Sequence, residues 1–147
     1  MLTDDLTPHR IRLHVTVDSW EAALRVTGEL LVRAGACTPG YVDAMIAAVR
    51  ALGPYVVLAP GLALAHARPE DGAREVGASL VTLAPPVDFG AGEKDPVSLI
   101  IAFCAVDSEQ HLNMLEALAR FLENPQRRRA LVEAASVDEV IALLERA

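Results

Sequence analysis

YVVLAPGLALAHARPEDG, residues 55–72, holds two short apolar segments, a tight turn and a histidine, and then turns polar. Tyr55 to Ala59 reads as a short strand, Pro60-Gly61 as the turn, and Leu62 to His66 as a second strand. Arg68-Pro69-Glu70-Asp71-Gly72 follows as a loop. Toward the C-terminus, further strands are expected at about Gly77 to Leu83 and Val97 to Val106, separated by a loop rich in Pro, Gly and charge. The second of these is apolar on both faces, which places it in the middle of a sheet. Toward the N-terminus, Arg10 to Val17 alternates polar and apolar residues with the period of a half-buried strand. Two helices then fill the interval before Tyr55. The first is capped by Asp18 or Ser19, turns inward Trp20, Ala23, Leu24, Thr27, Leu31 and Ala34, and ends at Gly35. The second starts at Thr38-Pro39, lines up Tyr41, Ala44, Met45, Ala48, Val49 and Leu52 on one face, and stops at Gly53-Pro54.

The last third is helical. Asp107 or Ser108 caps a helix carrying Leu112, Leu115, Ala119 and Leu122, and Asn124-Pro125 opens another. Ser136-Val137-Asp138-Glu139 has the pattern of a capping box before Val140, Ile141 and Leu144. No repeat, low-complexity tract or linker interrupts the chain. The expectation is one α/β domain over residues 1–147, a small mixed β-sheet flanked by helices.

Composition narrows the function. Of 147 residues, 52% are hydrophobic and only 4% aromatic, so the core is aliphatic, which suits a layered α/β or all-helical protein better than a barrel. Thirteen Lys and Arg against twenty Asp and Glu leave a formal charge of -7, which argues against a nucleic-acid partner. The basic run Arg127-Arg128-Arg129 lies between Glu123 and Glu133 and reads as a solvated helix face. Cys37 and Cys104 form no CxxC pair, so neither a metal site nor a disulfide is expected, and free thiols fit a reducing cytoplasm. The acidic N-terminus is unlike a signal peptide, and the apolar runs are too short to cross a bilayer. A soluble, cytoplasmic chain that is not membrane-embedded is expected.

Four histidines remain as candidates for chemistry. His9 sits in a polar lead-in and His14 on the polar face of the first strand, and both read as surface residues. His66 ends a strand just before a loop, on the same side as Leu62 and Leu64. Periodicity alone favours a core histidine there. A histidine half shielded by leucines at a strand's mouth is equally a good nucleophile, because desolvation keeps the imidazole neutral near pH 7. His111 falls in the first turn of a helix, where backbone N–H groups and the helix dipole suit a phosphate. A surface histidine is the plainer alternative, and the sequence does not say whether the two meet. A Walker loop, HExxH and GxSxG are all missing, and Asp88, Glu93 and Asp95 read as a solvated acidic loop.

The stretch GPYVVLAPGLALAHARPEDGAREVGASLVTLAPPVDFG, residues 53–90, resembles the type-2 enzyme IIA of the phosphoenolpyruvate-dependent sugar phosphotransferase system, the fructose- and mannitol-type family. Its APGLALAHARPEDG core most resembles the ascorbate-specific branch. The resemblance runs on through DPVSLIIAFCAVDSEQHLNMLEALARFL, residues 95–122, and the terminal SVDEVIALLERA, residues 136–147. It implies a mixed sheet flanked by helices and a phosphotransferase component that is a phosphohistidine carrier. His66 matches the histidine that receives phosphate from the phosphocarrier protein HPr, and His111 matches the second histidine that steadies it. A cysteine of a IIB partner then takes the phosphate, and a membrane IIC protein moves the sugar.

No metal or organic cofactor is implied, because phosphohistidine is already an activated donor. One departure stands out: the family usually has proline before the active histidine, and here Ala65 stands there. Arg50 lies near the region where some mannitol-type members carry a phosphate-side arginine, but it is given no role. A regulatory relative, phosphorylated at the same histidine and read out by protein binding, is the second reading that the resemblance allows. For either, the recognition surface is expected around Leu62, Leu64, Ala65 and Ala67, helped by the acidic loop.

Overall fold

The structure, a computed structural model, describes residues 2–146. Five strands form one sheet: β1 (Ile11–Val15), β2 (Val57–Ala59), β3 (Leu62–Ala65), β4 (Gly77–Val87) and β5 (Val97–Cys104). Their order across the sheet is β1-β4-β5-β3-β2, so β5 is central, as its two-sided apolar sequence implies. β1 runs parallel to β4 and β3 parallel to β5, while β4 with β5 and β2 with β3 are antiparallel. The sheet is mixed. Six α-helices are described: α1 (Leu2–Asp5), α2 (Trp20–Arg33), α3 (Pro39–Leu52), α4 (Ser108–Leu122), α5 (Pro125–Glu133) and α6 (Val137–Glu145).

Side-chain alternation along the strands sorts the core into two layers. Ala63, Ala65, Val81, Ile100, Ala102 and Cys104 face α2 and α3. Leu62, Leu64, Leu80, Leu99, Ile101 and Phe103 face α4, α5 and α6. Alanines on the first side let α2 and α3 come close. Where these two helices cross, Gly28 is buried, and a Cβ there would stand 2.7 Å from Val42 Cγ2. Among the described residues, the hydroxyls of the buried Thr27, Ser79 and Thr82 are all hydrogen-bonded. Thr27 Oγ1 donates to Ala23 O, Ser79 Oγ donates to Thr27 O, and Thr82 Oγ1 accepts from the His14 N–H. Cys37 and Cys104 are buried free thiols.

The expected caps hold with refinements. Ser19 caps α2 and Asp107 caps α4, each by accepting an amide N–H of the first turn. Ser136 caps α6, but Glu139 reaches past it to the Ala135 N–H. Thr38 opens α3 without a side-chain cap, its own N–H being held by Gly72 O at 2.9 Å.

Several expectations change. The strand read from Tyr55 begins at Val57, because Pro54 and Gly53 hold the preceding residues in turns. β4 runs on to Val87 through Pro85 and Pro86, and β5 ends at Cys104 instead of Val106. On α3, Val42 and Ile46 join Tyr41, Met45 and Val49 inside, whereas Leu52 is 74% exposed. On α4, Met114, Leu118, Phe121 and Leu122 are buried, and Leu112 is 53% exposed.

The basic run is not a plain solvated face. Arg127 lies over the Phe121 ring, and Arg128 Nη1 donates to Leu122 O at 2.6 Å, tying α5 to the last carbonyls of α4. Nor is Asp95 merely solvated: its carboxylate accepts the Phe89 and Ala91 N–H groups and shapes its loop. His9 and His14 are exposed, yet His14 is anchored, with φ at +56° and Nε2 2.9 Å from Ala134 O.

Candidate phosphoryl site

β3 stops at Ala65, so His66 is the first residue beyond the sheet. Alternation continues for that one step and carries its ring to the side of Leu62, Leu64 and Phe103. There it stacks on Phe103, with centroids 4.9 Å apart and planes at 28°. His111 arrives from the other direction. Asp107 Oδ1 accepts the Gln110 N–H at 2.8 Å, and His111 N–H makes the first bond of α4, to Asp107 O at 3.0 Å. One turn of helix therefore delivers the second ring. The two imidazoles meet edge to face, centroids 5.0 Å apart at 74°, and His111 also touches Phe103 at 5.1 Å. The two sequence candidates, far apart along the chain, form one site on a shared aromatic floor.

Packing, not hydrogen bonding, holds these rings. Nδ1 of His66 and Nδ1 of His111 are both buried without a partner. The outward nitrogen of each is then Nε2. Burial pushes the His66 imidazole below its ordinary value, and the neighbouring His111 pushes it further the same way. His66 is thus held as a neutral imidazole, and in the tautomer that keeps its proton on Nδ1 the lone pair lies at Nε2.

His66 opens onto a cleft of about 510 Å³. Small α3 residues (Ala44, Ala47, Ala48) form one wall, Leu52 and Tyr55 the rim, and Arg68 and Asp71 the polar end. Arg68 is anchored at its base, where its N–H donates to Asp71 Oδ2 at 3.0 Å. Its guanidinium is 80% exposed and lies 3.6 Å and 3.8 Å from Glu70 and Asp71, distances that hold it weakly. Arg50 is engaged elsewhere, with Glu21 at 2.8 Å. Leu62, Leu64 and Ala65 do not line a recognition surface: they are 3%, 1% and 0% exposed and belong to the core, while Ala67, 9% exposed, contributes only to the wall of the cleft. The exposed apolar residues around the histidines are Leu52, Tyr55, Val106 and Leu112. Among the described residues no group of three His, Cys, Asp or Glu could hold a metal ion.

Sequence reasoning missed Phe103, Arg68 and the site's link to Tyr41. Phe103 had a signal, as the one aromatic side chain in the run from Val97 to Val106. Tyr41 read only as a residue of a helix face.

The chain resembles known proteins along its whole length. Residues 5–147 match the family model for the phosphoenolpyruvate-dependent sugar phosphotransferase system, EIIA 2. The ascorbate-specific PTS system EIIA component of Escherichia coli strain K12 is 35% identical, over 99% of this chain and 96% of that protein. The solution structure of the mannitol-specific cryptic phosphotransferase enzyme IIA CmtB from Escherichia coli superposes with a TM-score of 0.90 at 29% identity, covering 99% of both chains. The mannitol enzyme IIA of Escherichia coli, solved in complex with phosphorylated enzyme IIB, gives 0.83 at 29% identity over 95% of this chain and 96% of that one. Sequence and fold agree, and the chain belongs to the EIIA type 2 family of the sugar phosphotransferase system.

Proposed function

We propose that His66 takes a phosphoryl group from HPr on Nε2 and passes it to a cysteine of a IIB partner, for uptake of a sugar through a membrane IIC protein. The observation that carries this reading is the pair of imidazoles 5.0 Å apart on Phe103, each with its Nδ1 buried. In the first step the His66 Nε2 lone pair forms a bond to phosphorus as the P–N bond of the donor breaks, and that electron pair returns to the donor's ring. In the second, a thiolate attacks the same phosphorus and His66 recovers its lone pair. His111 donates a hydrogen bond to the phosphoryl oxygens in both steps. Positioning and charge stabilisation supply the catalysis. Arg68, at the polar end of the cleft, offsets the phosphoryl charge beside Asp71.

Both partners must use one surface in turn and leave quickly, which calls for a small apolar patch of modest affinity. Leu52, Tyr55, Val106 and Leu112 supply it. The carrier works in the cytoplasm. Ascorbate is the favoured sugar, because the ascorbate-specific component is 35% identical over nearly the whole chain. A chase experiment tests the transfer: the ³²P-labelled protein is mixed with the IIB component of an ascorbate system. Label should move to the IIB cysteine within seconds. Label that stays on this chain would sink the transport reading and favour a regulatory one.

A further inference from the structure

Resting on the carrier reading, a second layer of the site lies beneath His66. The parallel ladder of β3 and β5 pairs Leu62 to Ala65 with Leu99 to Ala102. Its phase is set by the Leu99 N–H, which donates to Gly61 O at 3.0 Å. In a parallel ladder the bonding residues of one strand alternate, each donating to one neighbour and accepting from another two residues on. On β5 these are Leu99, Ile101 and Phe103. The rung after Ala65 would therefore run from the Ala67 N–H to the Phe103 carbonyl.

That rung is replaced. The Ala67 N–H donates to Tyr41 Oη at 3.0 Å, and the Tyr41 hydroxyl donates to Phe103 O at 2.9 Å, with Ala67 O at 3.1 Å as its alternative acceptor. Two hydrogen bonds and an oxygen stand where one bond would have been, so the strands are spread at the residues that flank His66 and carry its floor. We propose that Tyr41 is a positioning residue for His66: its hydroxyl substitutes for a rung of the β3–β5 ladder and fixes the opened strand end from which the imidazole meets Phe103.

The device is rigid at its own base. Tyr41 is fully buried, its N–H donates to Thr38 O, and the Thr38 N–H donates to Gly72 O. Gly72 has φ at +134°, and a side chain there would run into Thr38 Oγ1 and Tyr41 Cβ. Burial pushes the phenol well above its ordinary value, so the wedge stays a neutral donor throughout the working pH range.

Tyr41→Phe keeps the ring and removes the wedge. In single-turnover transfer from phosphorylated HPr, the saturating rate should fall about tenfold, while the donor concentration at half-maximal rate stays unchanged because the docking surface is intact. The NMR titration midpoint of the His66 ring should rise toward the ordinary value as the ring loses its seat. An unchanged saturating rate with an unchanged midpoint would overturn the proposal. Should the variant not fold, fluorotyrosine labelling of the unaltered protein decides, since Tyr41 and Tyr55 are the only tyrosines. The Tyr41 fluorine should follow the His66 titration, and a signal flat across it would overturn the proposal. If the unaltered protein takes no phosphoryl group, the carrier reading fails, and the two titrations still decide on Tyr41.

Discussion

An imidazole that attacks phosphorus must be neutral, and His66 is kept so by burial and by His111. The pH consequence has a definite sign. Transfer should show an acid limb with its midpoint below about 6.5, the ordinary imidazole value, because only the deprotonated ring carries the Nε2 lone pair. Stability moves with it. Between the depressed folded value and about 6.5 the unfolded chain binds more protons at this position than the native one. Stability from this group is therefore complete above that window and is lost as pH falls through it. A pH series of melting curves should show this loss in the native chain and lack it in His66→Ala. The second ring is expected to have a different task. His111→Ala should still accept phosphate but transfer it about ten- to a hundredfold more slowly, corresponding to about 1.5–3 kcal/mol for a lost charge-assisted hydrogen bond. A normal single-turnover rate in that variant would leave His111 a spectator.

At the scale of elements, the site depends on where one helix starts and how closely two others approach. Asp107→Ala removes the cap of α4 and should cost about 1 kcal/mol in denaturant unfolding. It should also slow transfer, since the freed first turn carries His111. Gly28→Ala pits two effects against each other. Alanine favours a helix by about 1 kcal/mol over glycine, but its Cβ would press on the stiff Val42 side chain, and overpacking of this kind costs about 1–3 kcal/mol. A net loss of stability is expected, read as a lower Tm. These elements were legible from the chain to differing degrees. The central place of β5 and most helix starts could be read, since two-sided apolar runs and capping residues act locally. The inward faces of α3 and α4 could not. Both helices carry apolar residues on two sides, one for the core and one for the site, and periodicity gives no way to rank Leu52 and Leu112 against Val42 and Met114. His66 and His111 were each visible as histidines at element ends. Their meeting required the tertiary fold, and so did the Tyr41 link, which depends on the phase of a ladder.

For the molecule as a whole, the C-terminal ends of the parallel strands β3 and β5 bring His66 beside the start of α4, with exposed apolar residues of α3 and α4 around the two histidines. Leu52→Asp should raise the HPr concentration at half-maximal rate severalfold and leave the melting curve unchanged, because that side chain is 74% exposed. Charge adds steering: with a formal charge of -7, transfer from a donor that presents basic residues should slow as salt rises. A rate flat from low to high ionic strength would remove electrostatics from the encounter. The central claim is that one imidazole carries the phosphoryl group, and labelling tests it most directly. The protein, His66→Ala and His111→Ala are each incubated with phosphoenolpyruvate, enzyme I and HPr, and the bound phosphate is measured. The native chain should hold a single acid-labile, base-stable phosphate, His111→Ala should reach the same level more slowly, and His66→Ala should hold none. Stoichiometric label on His66→Ala would contradict the assignment outright.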